Sequence, residues 1–251
     1  MIKYATQDIS KKDISEIVKT LKSDFITQGP KIGEFEDNIS KYCNVKYSIS
    51  VSSATNALHL SYLSLGLSKG DYLWTSPITF VSTVNAALFC EAKIEYIDID
   101  PKTFNMSVDA LEKKLEEANK NKKLPKIVVP VHLGGASCEM EKIHKLSKKF
   151  KFKIVEDASH ALGGKYNNKS IGNCEFSDIS VFSFHPVKII TTGEGGMVLT
   201  NNSNISKKIK LMRSHGISKK IKSSKFHKNE IWNYKQYSLG YHYRMTDINA
   251  A

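Results

Sequence analysis

The 251 residues, 41% of them hydrophobic, suffice for one large α/β domain or two modest ones, and a net charge of +12 raises the question of nucleic acid. The excess is almost wholly lysine: Arg213 and Arg244 are the only arginines, whereas surfaces that read phosphates and base edges draw on the guanidinium fork, so nucleic acid is set aside. No run approaches the length of a membrane span, the polar start MIKYATQDISKKD lacks the apolar centre of a signal peptide, and four scattered cysteines form no C-x-x-C pair; a cytoplasmic protein with reduced thiols, no metal and no membrane partner is expected.

In chain order, a short amphipathic helix is expected near 11–22. From about Lys46 the pattern alternates. YSISVSS (47–53) reads as a strand, TNALHLSYLSLG (55–66) as a helix, DYLWTS (71–76) as a strand, FVSTVNAALFC (80–90) as a helix and KIEYIDI (93–99) as a strand. VDALEKKLEEANK (108–120) has helical period with Glu and Lys on its outer face, and the alternation continues through KIVVPV (126–131), EMEKIHKLSKKF (139–150) and KIVEDA (153–158). Three strand-like pieces follow, DISVFSF (178–184), VKIIT (187–191) and GMVLT (196–200), before a helix near 203–214. Such alternation predicts a mainly parallel sheet covered by helices on both faces, with its site beyond the carboxyl ends of the strands.

That rule selects four stretches: SSATN, SPITF, EDASHA and the segment around Lys188. The first opens a helix behind Ser53, so the N–H groups at Ala54 and Thr55 suit either a phosphate or an ordinary cap. Phe80 is an aromatic at the mouth of the sheet or part of the core. Glu156 and Asp157, followed by His160, offer a metal ligand, a general base, the partner of a cationic heterocycle, or a cap for the next turn. Lys188 sits inside FHPVKIITTGEGG, where partial desolvation lowers an amine's pKa and makes it nucleophilic. Gly193, Gly195 and Gly196 read as a tight turn back into the sheet. In this order the parts are those that hold pyridoxal 5′-phosphate: a phosphate cup, a stacking ring, an acid for the pyridine nitrogen and a lysine for the aldehyde.

The blocks DFITQGPKIGEFE (24–36), SSATNALHL (52–60), SPITFVSTVNAALFCEAKIEYIDID (76–100), VVPVHLGG (128–135), VEDASHALGGKY (155–166), SFHPVKIITTGEGG (183–196) and LGYHYRMTDINAA (239–251) together resemble the DegT-type sugar aminotransferases. The resemblance implies a fold-type-I large domain, a three-layer α/β unit with a mixed, mainly parallel sheet, and a smaller C-terminal domain missing after Ala251. It implies three segments: 1–30 contributing to the substrate cleft, 31–238 as the cofactor-binding domain, and 239–251 as the start of the connection to the missing part. Lys188 matches the catalytic lysine that bonds the cofactor, and Asp157 the carboxylate on its ring nitrogen. His160 matches a residue near the ring and O3′, and Phe80 the stacking aromatic. Ala54, Thr55 and Ser183 match phosphate contacts. His242 stands where the family usually has an Asn that reaches the neighbouring subunit's phosphate. Tyr4, Asp24, Phe25, Ile26, Thr27 and Tyr243 match positions that hold the sugar nucleotide.

ITQGP with VPVHLGGASCEMEKI is most similar to the branch that aminates C4 of a UDP-linked 4-keto-6-deoxy sugar in pseudaminic acid synthesis, with glutamate as donor and a homodimer sharing its active sites. A relative acting on dTDP- or GDP-linked sugars, or a non-catalytic remnant that only binds the cofactor, would carry much the same residues. The lysine-rich run 206–228 is expected to be a solvated loop or a neutraliser of the substrate's diphosphate.

Overall fold

The computed structural model describes residues 5–218 and 234–251. The first helix, α1 (Lys11–Leu21), opens on a reciprocal cap: Ser10 Oγ accepts from the Asp13 N–H, and Asp13 Oδ2 accepts from the Ser10 N–H at 2.7 Å. The next, α2 (Pro30–Cys43), begins with Pro30 where its missing N–H costs nothing and closes on Asn44 in the left-handed region. The alternating part then runs β1 (Tyr47–Val51), α3 (Ala54–Ser64), β2 (Tyr72–Thr75), α4 (Ser82–Leu88), β3 (Lys93–Tyr96), α5 (Val108–Lys120), β4 (Ile127–Val129), α6 (Met140–Phe150) and β5 (Lys153–Asp157). A small hairpin of β6 (Lys165–Tyr166) and β7 (Lys169–Ser170) precedes β8 (Ile179–Ser183), β9 (Gly196–Thr200) and α7 (Ser203–Met212). A two-stranded ribbon, β10 (Ile217–Ser218) with β11 (Lys235–Gln236), and a last turn of helix, α8 (Asp247–Ala250), complete the described chain.

The large sheet has the order β1-β9-β8-β5-β4-β2-β3. Pairing is parallel from β8 through β5, β4 and β2 to β3, while β9 runs antiparallel to both β8 and β1. Six strands therefore point one way and β9 the other. Neighbouring residues in the strands are buried on opposite faces, which is why the strands read as continuous apolar runs. Leu73, Val129, Val155, Val181 and Val198 pack with Leu58 and Leu60 of α3 and Ile209 of α7. Trp74, Val128 and Ile154 pack on the other face with Leu111 and Leu115 of α5 and Ile143 of α6. Beneath β8 and β9, Phe182, Met197 and Leu199 meet Ile39 and Cys43 of α2. Each such side chain, fully buried, contributes about 1.5–3 kcal/mol of transfer free energy. Among the described residues no helix is long and apolar enough to cross a membrane, and all four cysteines are buried free thiols.

One expectation needs correction. Residues 187–191 are not a strand. The edges of β8 are already taken by β5 and β9, so the chain between Phe184 and Gly195 has nothing to pair with and forms a loop across the carboxyl edge. It is closed by Lys188 N–H to His185 O at 2.9 Å, Thr192 N–H to Phe184 O at 3.0 Å and Phe184 N–H to Gly195 O at 3.0 Å. Helix α2 was not anticipated from periodicity, although its Gly-Pro start and Asn44 stop are signals of a kind that sequence carries.

Candidate active site

The carboxyl ends of the co-directional strands surround a cavity of roughly 530 Å³. Ser53, Ala54 and Thr55 reach it from the β1–α3 junction, Thr79 and Phe80 from the loop after β2, and Val131 from the end of β4. Asp157, Ser159 and His160 come from the end of β5, Ser183 from the end of β8, and Lys188 and Gly195 from the loop before β9. The four stretches selected by the strand-end rule thus meet in one space, of a size ordinary for a small-molecule site.

Ser53 does cap α3, its Oγ accepting from the Asn56 N–H at 3.2 Å. The preceding N–H groups of Ala54 and Thr55, which no helix carbonyl can reach, lie at the cavity wall together with the positive end of the helix dipole. This junction rests on Gly196: a Cβ there would lie 2.5 Å from the carbonyl carbon and oxygen of Ser53 and 2.6 Å from the Ala54 nitrogen. The expected turn is present just before it, with Gly193 at φ +75°.

Strand alternation separates the two acids of β5. Asp157, 4% exposed, turns toward α4: Thr83 Oγ1 donates to its Oδ2 at 2.7 Å, and Ser159 Oγ donates to its Oδ1 at 2.6 Å. Its charge reaches Tyr62, whose phenol burial already pushes up and Asp157 pushes further. Glu156 faces the other side, where it pairs with His132 Nε2 at 2.7 Å and accepts from Ser177 Oγ. The Cys138 N–H donates to His132 Nδ1 at 3.2 Å, so the imidazole carries its proton on Nε2 and gives it to Glu156. Glu156 is therefore a satisfied internal group outside the cavity.

Lys188 is half-buried. Burial lowers its pKa from the ordinary lysine value, and the nearby Asp157 charge offsets part of that. Burial likewise lowers His160, helped by the Lys188 charge and opposed by Asp157, while Gly134 N–H donates to its Nδ1 at 3.3 Å. A neutral imidazole held this way keeps its proton on Nε2. Phe80 is 70% exposed at the rim.

The remaining sequence-derived candidates lie elsewhere. Tyr243 sits behind α3, stacked on Tyr241 at 4.9 Å with its hydroxyl 3.2 Å from His59 Nδ1, and its carbonyl accepts from the Ser52 N–H. His242 is exposed and stacked on His215 at 5.3 Å. Asp24, Phe25, Ile26 and Thr27 are exposed, with Thr27 bridged to Thr246. Tyr4 lies outside the described residues, as do 219–228 of the lysine-rich run. Conversely, Thr79, Ser82, Ser159, His185 and Glu194 line the cavity without having been singled out. All belong to or adjoin the selected stretches, and for Thr79, Ser82 and Ser159 hydroxyl content near strand ends is the usable signal.

The donor set fits pyridoxal phosphate: open N–H groups on a helix terminus, a carboxylate held by two hydroxyls, and an amine with lowered pKa share one cavity. The sequence pattern of the DegT/DnrJ/EryC1/StrS aminotransferase family matches residues 7–251. The chain is 44% identical over 252 residues to UDP-4-amino-4,6-dideoxy-N-acetyl-beta-L-altrosamine transaminase of Campylobacter jejuni subsp. jejuni, covering 100% of this chain and 62% of that protein. Its fold is similar to Helicobacter pylori PseC, an aminotransferase involved in the biosynthesis of pseudoaminic acid, with a TM-score of 0.88 and 34% identity over 99% of this chain and 62% of that one. It is also similar to the sugar aminotransferase Spr1654 from Streptococcus pneumoniae in its PLP form, with a TM-score of 0.84 and 28% identity over 99% of this chain and 64% of that one. The chain thus spans less than two thirds of the length of these relatives.

Proposed function

The chain belongs to the DegT/DnrJ/EryC1/StrS aminotransferase family, and from that premise we propose that it holds pyridoxal 5′-phosphate in the strand-end cavity and moves an amino group from an amino acid to a nucleotide-linked keto sugar. Its architecture is that of the fold-type-I aminotransferase large domain, and the family's aminotransferases use this cofactor. The single observation that carries the reading is the convergence of Lys188, Asp157 and the N-terminus of α3 on one cavity.

Ala54, Thr55 and Ser183 would take the phosphate, Lys188 would bond the aldehyde carbon, and Asp157 would keep a proton on the ring nitrogen. When bound, the cofactor supplies an electron sink for the charge left as the donor's Cα loses its proton. The chain's own residues supply the rest. Once the donor's amine has taken its place on the aldehyde carbon, the freed Lys188 Nζ, neutral more often than an exposed lysine, would take that Cα proton and deliver it to the former aldehyde carbon. Thr83 and Ser159 hold both oxygens of Asp157, which fixes the orientation of its carboxylate. Phe80, Val131 and Val187 give the cavity an apolar part of its wall.

For the substrate we propose a UDP-linked 4-keto-6-deoxy sugar aminated at C4, as in pseudaminic acid synthesis, with glutamate as donor. The names of the Campylobacter and Helicobacter relatives support the sugar in this choice, and the donor follows from the family resemblance alone. A homodimer sharing its active sites, with Tyr4, Asp24 to Thr27, Tyr243 and His242 serving substrate and neighbour, is part of the same proposal. Adding pyridoxal phosphate to the purified chain should produce a visible absorption band that Lys188→Ala lacks; identical spectra would refute the assignment. Glutamate should then bleach the band. A band that resists glutamate would favour a cofactor-binding protein without transamination, and faster amination of dTDP- or GDP-linked sugars would move the substrate choice within the family.

A further inference from the structure

Behind Asp157 lies a run of hydroxyls that the reaction as described does not use. Thr83, on the first turn of α4, is fully buried and donates from Oγ1 to Asp157 Oδ2 at 2.7 Å. Its Oγ1 is also 2.7 Å from Oγ1 of Thr79, a half-buried residue on the cavity wall. The backbone of Thr83 is itself pinned, since the fully buried Tyr62 hydroxyl donates to its carbonyl at 3.0 Å.

The direction of these bonds follows from the chemistry of the end group. A carboxylate only accepts, so the single proton of Thr83 goes to Asp157, and the Thr79 hydroxyl must be the donor to Thr83. Thr79 therefore has its proton committed inward and presents only lone pairs to the cavity. At the other end, Oδ2 has one lone-pair direction filled by Thr83, while Oδ1 accepts from both the Ser159 hydroxyl at 2.6 Å and the Ser159 N–H at 3.2 Å. The lone pair that remains free is on Oδ2, and its direction is set by where the Thr83 hydroxyl stands.

We propose that Thr83 is a positioning residue for the proposed transamination, fixing the rotation of the Asp157 carboxylate so that a free lone pair of Oδ2 faces the cavity. The inference rests on the reading of the cavity as a pyridoxal phosphate site. In the sequence, Thr83 stands inside FVSTVNAALFC, where its hydroxyl reads as part of a helix core.

The test uses the full chain and titration of the visible band with pyridoxal phosphate. Thr83→Val, which keeps the shape and deletes the hydroxyl, should weaken binding about tenfold, the size expected for a hydrogen bond to a charged group. Thr83→Ser should bind within about twofold of wild type, as a restored hydroxyl requires. In an Asp157→Ala background, Thr83→Val should add less than about twofold, because the acceptor that Thr83 orients is gone. If Thr83→Val misfolds by thermal melt, Thr83→Ser against Thr83→Ala isolates the same hydroxyl. Unchanged binding in Thr83→Val, or an equal loss in both backgrounds, overturns the inference and leaves Thr83 a packing residue. A wild-type chain with no band overturns the reading of the cavity and the inference together.

Discussion

Lys188 concentrates the physics of the site at the scale of one residue. Its ammonium is half out of water in a cavity where the Asp157 charge returns only part of the lost hydration, so the neutral amine forms at lower pH than on an exposed lysine. Only the neutral amine attacks an aldehyde. The rate of band formation with pyridoxal phosphate should therefore rise with pH and inflect below 10.5, the ordinary lysine value; an inflection at or above it would show that the side chain is solvated. Lys188 was legible in the sequence because a cation between aromatic and β-branched residues has no simple place in a core. The pair Glu156 and Asp157 was legible only as a pair. Which acid faces the cavity depends on strand register, and a shift of one residue would exchange them.

Among the elements, the strand ends matter most, and β9 is the one that differs. It runs against its neighbours, so its first residue, Gly196, lies beside the carboxyl end of β1 and under the opening of α3. Gly196→Ala would push a methyl into the Ser53 and Ala54 backbone, atoms with no side-chain freedom to yield. A loss of about 1–3 kcal/mol in urea unfolding is expected, with weaker pyridoxal phosphate binding because the same N–H groups are displaced. Wild-type behaviour in both measurements would mean that the junction relaxes freely. The alternation of strands and helices was readable because buried parallel strands need apolar residues on both faces. The segment 187–191 was misread for the same reason: Val187, Ile189 and Ile190 have strand composition, yet 66% of Ile189 is exposed, because composition does not report whether a sheet edge is free.

For the molecule as a whole, the two ends of the described chain are tied together. The fully buried Asp247 accepts from the Gly29 N–H at 2.7 Å and the Lys31 N–H at 2.9 Å, and Asn249 Nδ2 donates to Thr192 O at 2.7 Å, which joins the start of α2 to the Lys188 loop. Asp247→Ala strands two N–H groups and should cost about 2 kcal/mol, or roughly 4–8 °C in melting temperature. Asp247→Asn, retaining one acceptor oxygen, should lose about half as much; equal melting temperatures for all three proteins would show that water replaces the carboxylate. None of these long-range ties was visible beforehand, since a carboxylate in RMTDINAA reads as a local cap. The sheet has the same long reach: among the described residues β1 is an edge strand paired with β9 alone, with Tyr47 opposite Thr200 and Val51 opposite Gly196. On a ribosome adding about 5–20 residues per second, β1 waits on the order of ten seconds for its partner. Throughout that wait Ile49 and Val51, both destined for the core, are strand without a sheet, and the emerging chain needs cover for them, by a chaperone or by transient collapse onto α3.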